Sequence, residues 1–69
     1  MLLIKNRNRD FLFVFRKMFN VYDNGDIFID GKFFDNYKTY ERAKQIQTDF
    51  ENFWLGCGDK KAIYYMPKE

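Results

Sequence analysis

The clearest pattern of hydrophobic and polar positions lies between residues 40 and 55. Apolar side chains recur there every three or four residues, at Ala43, Ile46, Phe50 and Phe53. This spacing places them on one face of an α-helix, with polar side chains on the opposite face. Either Thr39 or Asn36 is suited to cap the start of this helix. Two glycines are typical of its end, Gly56 and Gly58.

Turn signals divide the middle of the chain into short strands. The Asn24-Gly25 pair separates the apolar segments 19–22 and 26–29, and it supplies the positive φ angles that a tight hairpin turn needs. Asp30-Gly31 marks a second turn, which leads into Lys32-Phe33-Phe34. Further strands are predicted near the two ends of the sequence, at Leu2–Lys5 and at Ala62–Met66.

Residues 10–22 are harder to assign because they are apolar on both faces of a strand. As a helix, the segment would place its charged residues on one arc, with Phe13 as the main exception. The run from Phe11 to Phe15 suits a pleated surface better than a helix. We therefore predict a strand, while a helix over 10–18 remains the alternative.

The order of strands, then a helix, then a strand predicts an α+β fold. We expect a small antiparallel sheet of three to four strands, built from hairpins, with the amphipathic helix packed on one face. A helix over 10–18 would lower the strand count by one. The sequence has no internal repeat and no linker, so residues 1–69 are expected to form a single compact domain.

The composition argues against an enzyme. The 69 residues include no His, no Ser and one Cys, so neither a Ser-His-Asp nor a Cys-His arrangement can be assembled. A structural zinc site needs four Cys or His ligands, and the chain offers Cys57 alone. We therefore predict a non-enzymatic protein with no catalytic residues, no metal and no cofactor, and we interpret Cys57 as incidental.

The hydropathy pattern indicates a protein of the cytoplasm that makes no membrane contact. The longest apolar run, Phe11–Phe15, is far shorter than the ~20 residues that cross a bilayer. The segment Met1–Ile4 is too short for the core of a signal peptide. With one thiol and no export signal, a reducing compartment is the expected location.

Aromatic residues make up 22% of the chain, and several lie outside the helix stripe. A single helix covers one face of a sheet, so some of these rings should face solvent and offer a protein-binding surface. Adjacent rings on a strand point to opposite faces. An equally simple interpretation is that the chain ends and long polar side chains cover them. The candidate protein-binding residues are Phe33, Phe34, Tyr37, Tyr64 and Tyr65.

Charge is unevenly distributed, although the net charge is +2. Residues 1–20 are basic and residues 21–36 are acidic. Basic side chains near exposed aromatics could bind single-stranded nucleic acid, and this is the alternative function. A simpler interpretation is that these charges keep a strand edge from pairing. The candidate nucleic-acid-binding residues are Lys5, Arg7, Arg9, Arg16 and Lys17.

No family motif is recognisable, so no residue role is carried over from a known family. The bias toward Phe, Tyr, Asn, Lys and Ile is typical of AT-rich genomes. A chain of this size without a catalytic set resembles the small accessory proteins of phages and other mobile elements. Such proteins often bind and inhibit a host protein, for example a defence or nucleic-acid-processing factor. We expect a protein-binding module of that kind, and a homo-oligomer is a further alternative.

Overall fold

The computed structural model describes residues 1–58 and 60–68. These residues form six strands and one helix, and the last strand follows the helix. In chain order the elements are β1 (Leu2–Lys5), β2 (Leu12–Phe15), β3 (Phe19–Val21), β4 (Asp26–Ile29), β5 (Lys32–Asn36), α1 (Tyr40–Cys57) and β6 (Ala62–Tyr65). The predicted α+β class is confirmed.

Strand β1 is the centre of a three-stranded sheet with the order β2-β1-β6, which we call the mixed sheet. It pairs antiparallel with β2 and parallel with β6. A parallel pair needs a long crossover connection, and here that connection includes α1. The inner face of the mixed sheet is apolar and buried, with Leu2, Ile4, Phe15 and Tyr64.

The remaining strands form a second sheet with the order β3-β4-β5, which we call the antiparallel sheet. Its two hairpin turns are those predicted. Asp30 and Gly31 have φ angles of 52° and 85°, as a two-residue type I′ turn requires. In the other turn only Gly25 has a positive φ, 89°, because the loop Asp23–Gly25 is three residues long and ends in a left-handed glycine.

The apolar segment 10–22 is extended, as predicted, but it is divided into two strands. The Oδ atoms of Asp30 accept hydrogen bonds from the backbone N–H groups of Arg16, Lys17 and Met18, at 2.8–2.9 Å. These bonds hold the chain in a bend between β2 and β3. The first half of the segment therefore pairs in the mixed sheet and the second half in the antiparallel sheet.

Helix α1 packs against both sheets. Its N-cap is Thr39, whose Oγ1 accepts a hydrogen bond from the Arg42 N–H at 3.2 Å. Phe50 is almost completely buried and stands at the centre of the core. Its ring centroid lies 4.9 Å from those of Phe15 and Phe19 and 5.3 Å from that of Tyr64. The same side chain thus joins the helix to the mixed and the antiparallel sheet.

The structure differs from the sequence prediction in detail. The strands belong to two sheets rather than one, and the last strand is parallel to its neighbour. Helix α1 continues through Gly56 to Cys57, and Gly58 is its C-cap. Asn36 is not the N-cap, because its side chain donates to Asp26 and accepts from the Lys38 N–H.

Candidate protein-binding surface

Three aromatic rings form a row across the outer face of the antiparallel sheet, away from α1. Tyr22 follows β3, Phe28 lies on β4 and Phe33 lies on β5. The Tyr22 and Phe28 centroids are 5.0 Å apart, and those of Phe28 and Phe33 are 5.7 Å apart, both edge-to-face. Tyr22 is 50% exposed and Phe33 is 56% exposed. We call these three residues the aromatic ladder.

Local sequence chemistry sets the position of each ring. The Tyr22 N–H donates to the Asp26 carbonyl at 2.9 Å, which fixes the register of the first hairpin. Alternation along β4 then places Phe28 on the face opposite to that of buried Ile27. Phe28 faces Phe33 directly across the next pair of strands. A register slip of one residue would turn the ladder into the core, so the turns determine this surface.

An acidic depression adjoins the ladder. It has a volume of about 540 Å³ and is lined by Val21, Tyr22, Asp23, Asn24, Asp26 and Phe28. The described residues that line it include two carboxylates and no basic side chain. The Asp26 carboxylate accepts hydrogen bonds from the Asn24 and Asn36 side-chain amides, which hold it in place. One end of the ladder therefore combines exposed apolar area with negative charge.

Of the five rings predicted to bind a protein, two face solvent. Phe33 belongs to the ladder, and Tyr65 is 53% exposed on the mixed sheet. The opposite facing of adjacent rings in 33–34 and 64–65 is confirmed. Phe34 and Tyr64 are core residues, at 7% and 5% exposure, because each lies on the inner face of its strand.

Tyr37 is also buried, which corrects its place in the predicted surface. Its hydroxyl donates to the Pro67 carbonyl, a contact that brings together distant parts of the chain. Burial, reinforced by the nearby Asp35 carboxylate, raises the pKa of Tyr37 to about 12. Burial also raises the pKa of Tyr64, whose hydroxyl donates to Asp49 at 2.7 Å. Both phenols are therefore protonated structural donors.

The predicted basic residues do not form one patch. Arg7 and Arg9 lie at one end of the molecule, where they line a depression of about 430 Å³ together with Asn8 and Lys68. Lys38 joins Arg7 and Lys68 in an adjacent depression of about 410 Å³. Arg7, Arg9, Lys38 and Lys68 are named here the basic cluster. Its lysines come from chain segments that the sequence interpretation did not consider.

Arg16 and Lys17 lie at the other end of β2, beside Asp30. Desolvation raises the pKa of Asp30, but the backbone donors of Met18, Arg16 and Lys17 and the Arg16 charge outweigh it, so the pKa is lowered. Lys5 is the last residue of β1 and pairs with Leu12, so it lies at the end of the sheet that leads to Arg7 and Arg9. The candidate nucleic-acid residues are thus divided between the two ends of the mixed sheet.

Within the basic cluster, part of the charge is already engaged. The Arg7 Nε lies 3.5 Å from Asp35 Oδ1, and the backbone N–H of Arg7 donates to the other oxygen of the same carboxylate. Desolvation raises the pKa of Asp35 despite these contacts. The Arg9 guanidinium donates to the Met66 carbonyl at 2.8 Å and stacks over Tyr65. Lys38 and Lys68 are exposed.

Sequence reasoning missed Tyr22 and Phe28. A signal was present, because the Asn24-Gly25 turn fixes the hairpin register and alternation from that turn places both rings on the outer face. Among residues 1–58 and 60–68, no group of three or more His, Cys, Asp or Glu side chains is arranged to hold a metal ion. In the same residues, no helix has the length and apolar character that crossing a membrane requires.

Comparisons with known proteins do not add to this geometry. No protein-family model, curated protein or solved structure matches the chain.

Proposed function

We propose that this chain is a non-enzymatic protein-binding module of the cytoplasm and that it binds its partner through the aromatic ladder. The observation that carries the proposal is the row of edge-to-face rings at Tyr22, Phe28 and Phe33, two of which are at least half exposed. Large aromatic side chains dominate the energetics of protein interfaces, especially where they are already held rigidly.

The rim of the ladder defines the chemistry of the partner. Asp23 and Asp26 line the depression beside Tyr22, so a complementary surface carries an apolar centre flanked by Lys or Arg. Such charges speed association and exclude acidic partners. We propose further that the bound chain covers part of a host factor and inhibits it, as a protein of a phage or other mobile element.

Affinity capture from lysate of the source cell or its host tests the proposal. The tagged chain is compared with the Tyr22→Ser/Phe33→Ser double variant, and Leu55→Ser serves as the matched control because Leu55 is 81% exposed on α1. Both lysate halves, with and without nuclease, should yield the same protein with the wild-type chain and the control. The double variant should lose it. Equal capture by the double variant and the control would contradict the proposal.

The alternative function is single-stranded nucleic-acid binding by the basic cluster. It is favoured by the convergence of Arg7, Arg9, Lys38 and Lys68 on two adjoining depressions. Nucleic-acid affinity would fall steeply as salt is raised. A plot of the logarithm of the binding constant against the logarithm of the salt concentration would have a slope near −0.7 for each phosphate contact on a single strand. A Lys38→Ala/Lys68→Ala variant should reduce the magnitude of that negative slope by about 1.4 if both lysines contact phosphates. Capture that is abolished by nuclease would support this alternative over protein binding.

A further inference from the structure

Strand β2 has an apolar free edge. Within the described residues it pairs with β1 alone, and its sequence Leu-Phe-Val-Phe holds neither a charge nor a proline. Soluble proteins usually protect such an edge with Lys, Pro or a bulge, because unpaired backbone groups bind other strands. Leu12 is 49% exposed and Val14 is 40% exposed on the outer face of the sheet. The edge is therefore suited to pair with another strand.

The pattern of hydrogen bonds between β1 and β2 shows which backbone groups of β2 lie on its free edge. The Asn6 N–H donates to the Phe11 carbonyl at 3.2 Å, one step beyond the pair of Lys5 with Leu12. Bonded and non-bonded pairs alternate in an antiparallel ladder. Phe13 and Phe15 therefore bond to β1. The N–H and C=O groups of Leu12 and Val14 point away from it.

The sequence of β2 is complementary to itself in one antiparallel register. If two copies pair about Phe13, then Leu12 faces Val14 of the second copy, and Val14 faces its Leu12. The free N–H and C=O groups of Leu12 and Val14 in each copy then face the other copy, so these four residues form four backbone hydrogen bonds. Asp10 and Arg16 flank β2, so Asp10 of each copy comes near Arg16 of the other at the two ends of the contact, where opposite charges attract. The Asp10 Oδ1 atom also accepts a hydrogen bond from the Asn6 side-chain amide at 2.7 Å. The registers shifted by two residues leave Asp10 or Arg16 opposite an apolar side chain.

Neighbouring charges limit this contact but do not oppose it at its centre. The Asp30 carboxylate occupies the backbone N–H groups of Arg16 to Met18, so pairing cannot extend past Val14. It also lies close to Arg16, whose positive charge would then be shared between two carboxylates. Arg9 reaches Met66 and Tyr65 at the β6 side of the sheet, away from the free edge.

We propose that the partner of the β2 edge is a second copy of this chain, and that the two copies form a continuous six-stranded sheet around a two-fold axis at Phe13. A two-fold contact uses the same residues on both copies, as this register does. Exposed Leu12 and Val14 side chains of both copies would lie side by side on the outer face. The aromatic ladder lies on the other sheet, so this inference does not depend on the proposed function.

A lysine on the edge tests for the contact. Sedimentation equilibrium with reductant present, so that Cys57 cannot link chains, should show a reversible dimer of the wild-type protein. Val14→Lys should weaken the dimer by at least about tenfold, because it places a charge on the paired edge. Leu55→Lys is the control and should leave it unchanged. A monomer at all concentrations, or a dimer that Val14→Lys does not weaken, would overturn the proposal.

Charge reversal tests the register. Asp10→Lys and Arg16→Asp should each weaken the homodimer by about tenfold, because each turns two attractive pairs into repulsive ones. Mixed in equal amounts, the two variants should associate with each other nearly as well as the wild-type chain does. In that mixed dimer the introduced lysine faces the introduced aspartate at one end, and the native pair of Arg16 with Asp10 is kept at the other. Both positions are exposed, and circular dichroism checks that each variant folds. Failure of the mixture to associate would overturn this register.

Discussion

The outer faces of the two sheets differ in what they present to solvent. On the antiparallel sheet, hairpin turns on both sides fix the register, and the outer face carries the edge-to-face rings of exposed Tyr22, half-buried Phe28 and exposed Phe33. On the mixed sheet, the exposed groups near β2 are the aliphatic side chains of Leu12 and Val14, beside a free backbone edge. One face is suited to bind through side chains, and the other through main-chain pairing.

This difference follows from where the chain places its turns and its charges. Asp23 and Asp26 border the ladder, so the partner proposed for this surface has a basic rim. Asp10 and Arg16 flank β2 with opposite charges, so the edge is complementary to itself in the proposed register. The two proposed contacts therefore use different residues of the chain.

Removal of the Phe50 ring should have the largest effect on stability, because this ring packs against both sheets. Phe50 packs on Phe15, Tyr64 and Phe19, and so holds both sheets on α1. Phe50→Ala should lower the free energy of unfolding by about 3–5 kcal/mol, a large share of the stability of a small domain. Urea denaturation followed by circular dichroism measures this. A loss below about 1 kcal/mol would show that the two sheets do not share this core.

A methyl group at Gly25 should destabilise the antiparallel sheet, which carries the aromatic ladder. A Cβ there would lie 2.8–2.9 Å from backbone atoms of Lys38 and Thr39, at a φ of +89°. Gly31 has a similar φ of +85° but open space around it, so Gly31→Ala is the matched control for backbone strain alone. Gly25→Ala should cost at least about 1 kcal/mol more than the control. Equal losses of unfolding free energy in the two variants would show that the backbone at Lys38 and Thr39 moves away from the new methyl group at little cost.

The Asp30 carboxylate, which separates the two sheets, should give a pH-dependent effect. Its pKa lies below the ordinary 3.8 in the folded chain. Its contribution is therefore present above that value and disappears as the pH falls through the lower, folded pKa. Asp30→Asn should cost about 1–2 kcal/mol near neutral pH, from weakened bonds to three N–H groups. The melting temperatures of both proteins are measured from neutral pH into the acid range below the folded pKa of Asp30. The two melting temperatures should converge at the acid end.

Comparison of the variant with the wild type at each pH is essential in that experiment. Desolvation raises the pKa of Asp35, so this residue works in the opposite direction and favours the folded chain at low pH. Because Asp35 is present in both proteins, its contribution cancels in the difference. A difference that stays constant down to the acid end would contradict the role assigned to Asp30.

The smallest effect on stability is expected at the ladder itself. Phe33 is 56% exposed and contacts Phe28 at its edge, so Phe33→Ser should change the free energy of unfolding by less than about 1 kcal/mol. Partner capture should nevertheless fall sharply. Chemical denaturation and capture on the same preparation separate the two quantities. A variant that loses stability but keeps its partner would assign Phe33 to the fold.

The elements governed by local chemistry could be predicted from the sequence. The helix stripe at Ala43, Ile46 and Phe50 and the Asp30-Gly31 turn are set by residues within one or two turns of each other. The division into two sheets depends on Asp30 reaching back to Arg16, which no local pattern reveals. The parallel pairing of β6 with β1 is likewise a contact between the two ends of the chain.

The candidate site was predicted in part, for similar reasons. Phe33 and Tyr65 are exposed because they alternate with the buried Phe34 and Tyr64, and that alternation was visible. Tyr37 is buried through its bond to Pro67, a contact between distant positions. Lys38 and Lys68 join Arg7 in the same way. Sequence spacing alone gives no signal for such convergence.

Covalent footprinting of the captured complex shows directly whether the aromatic ladder is the binding surface. A carbene-generating probe labels exposed side chains of the free chain and of the chain bound to its partner. If the ladder binds the partner, Tyr22, Phe28 and Phe33 should lose most of their labelling in the complex, while Leu55 on α1 keeps it. Unchanged labelling of the aromatic ladder, with protection at Arg7, Arg9, Lys38 and Lys68 instead, would contradict it.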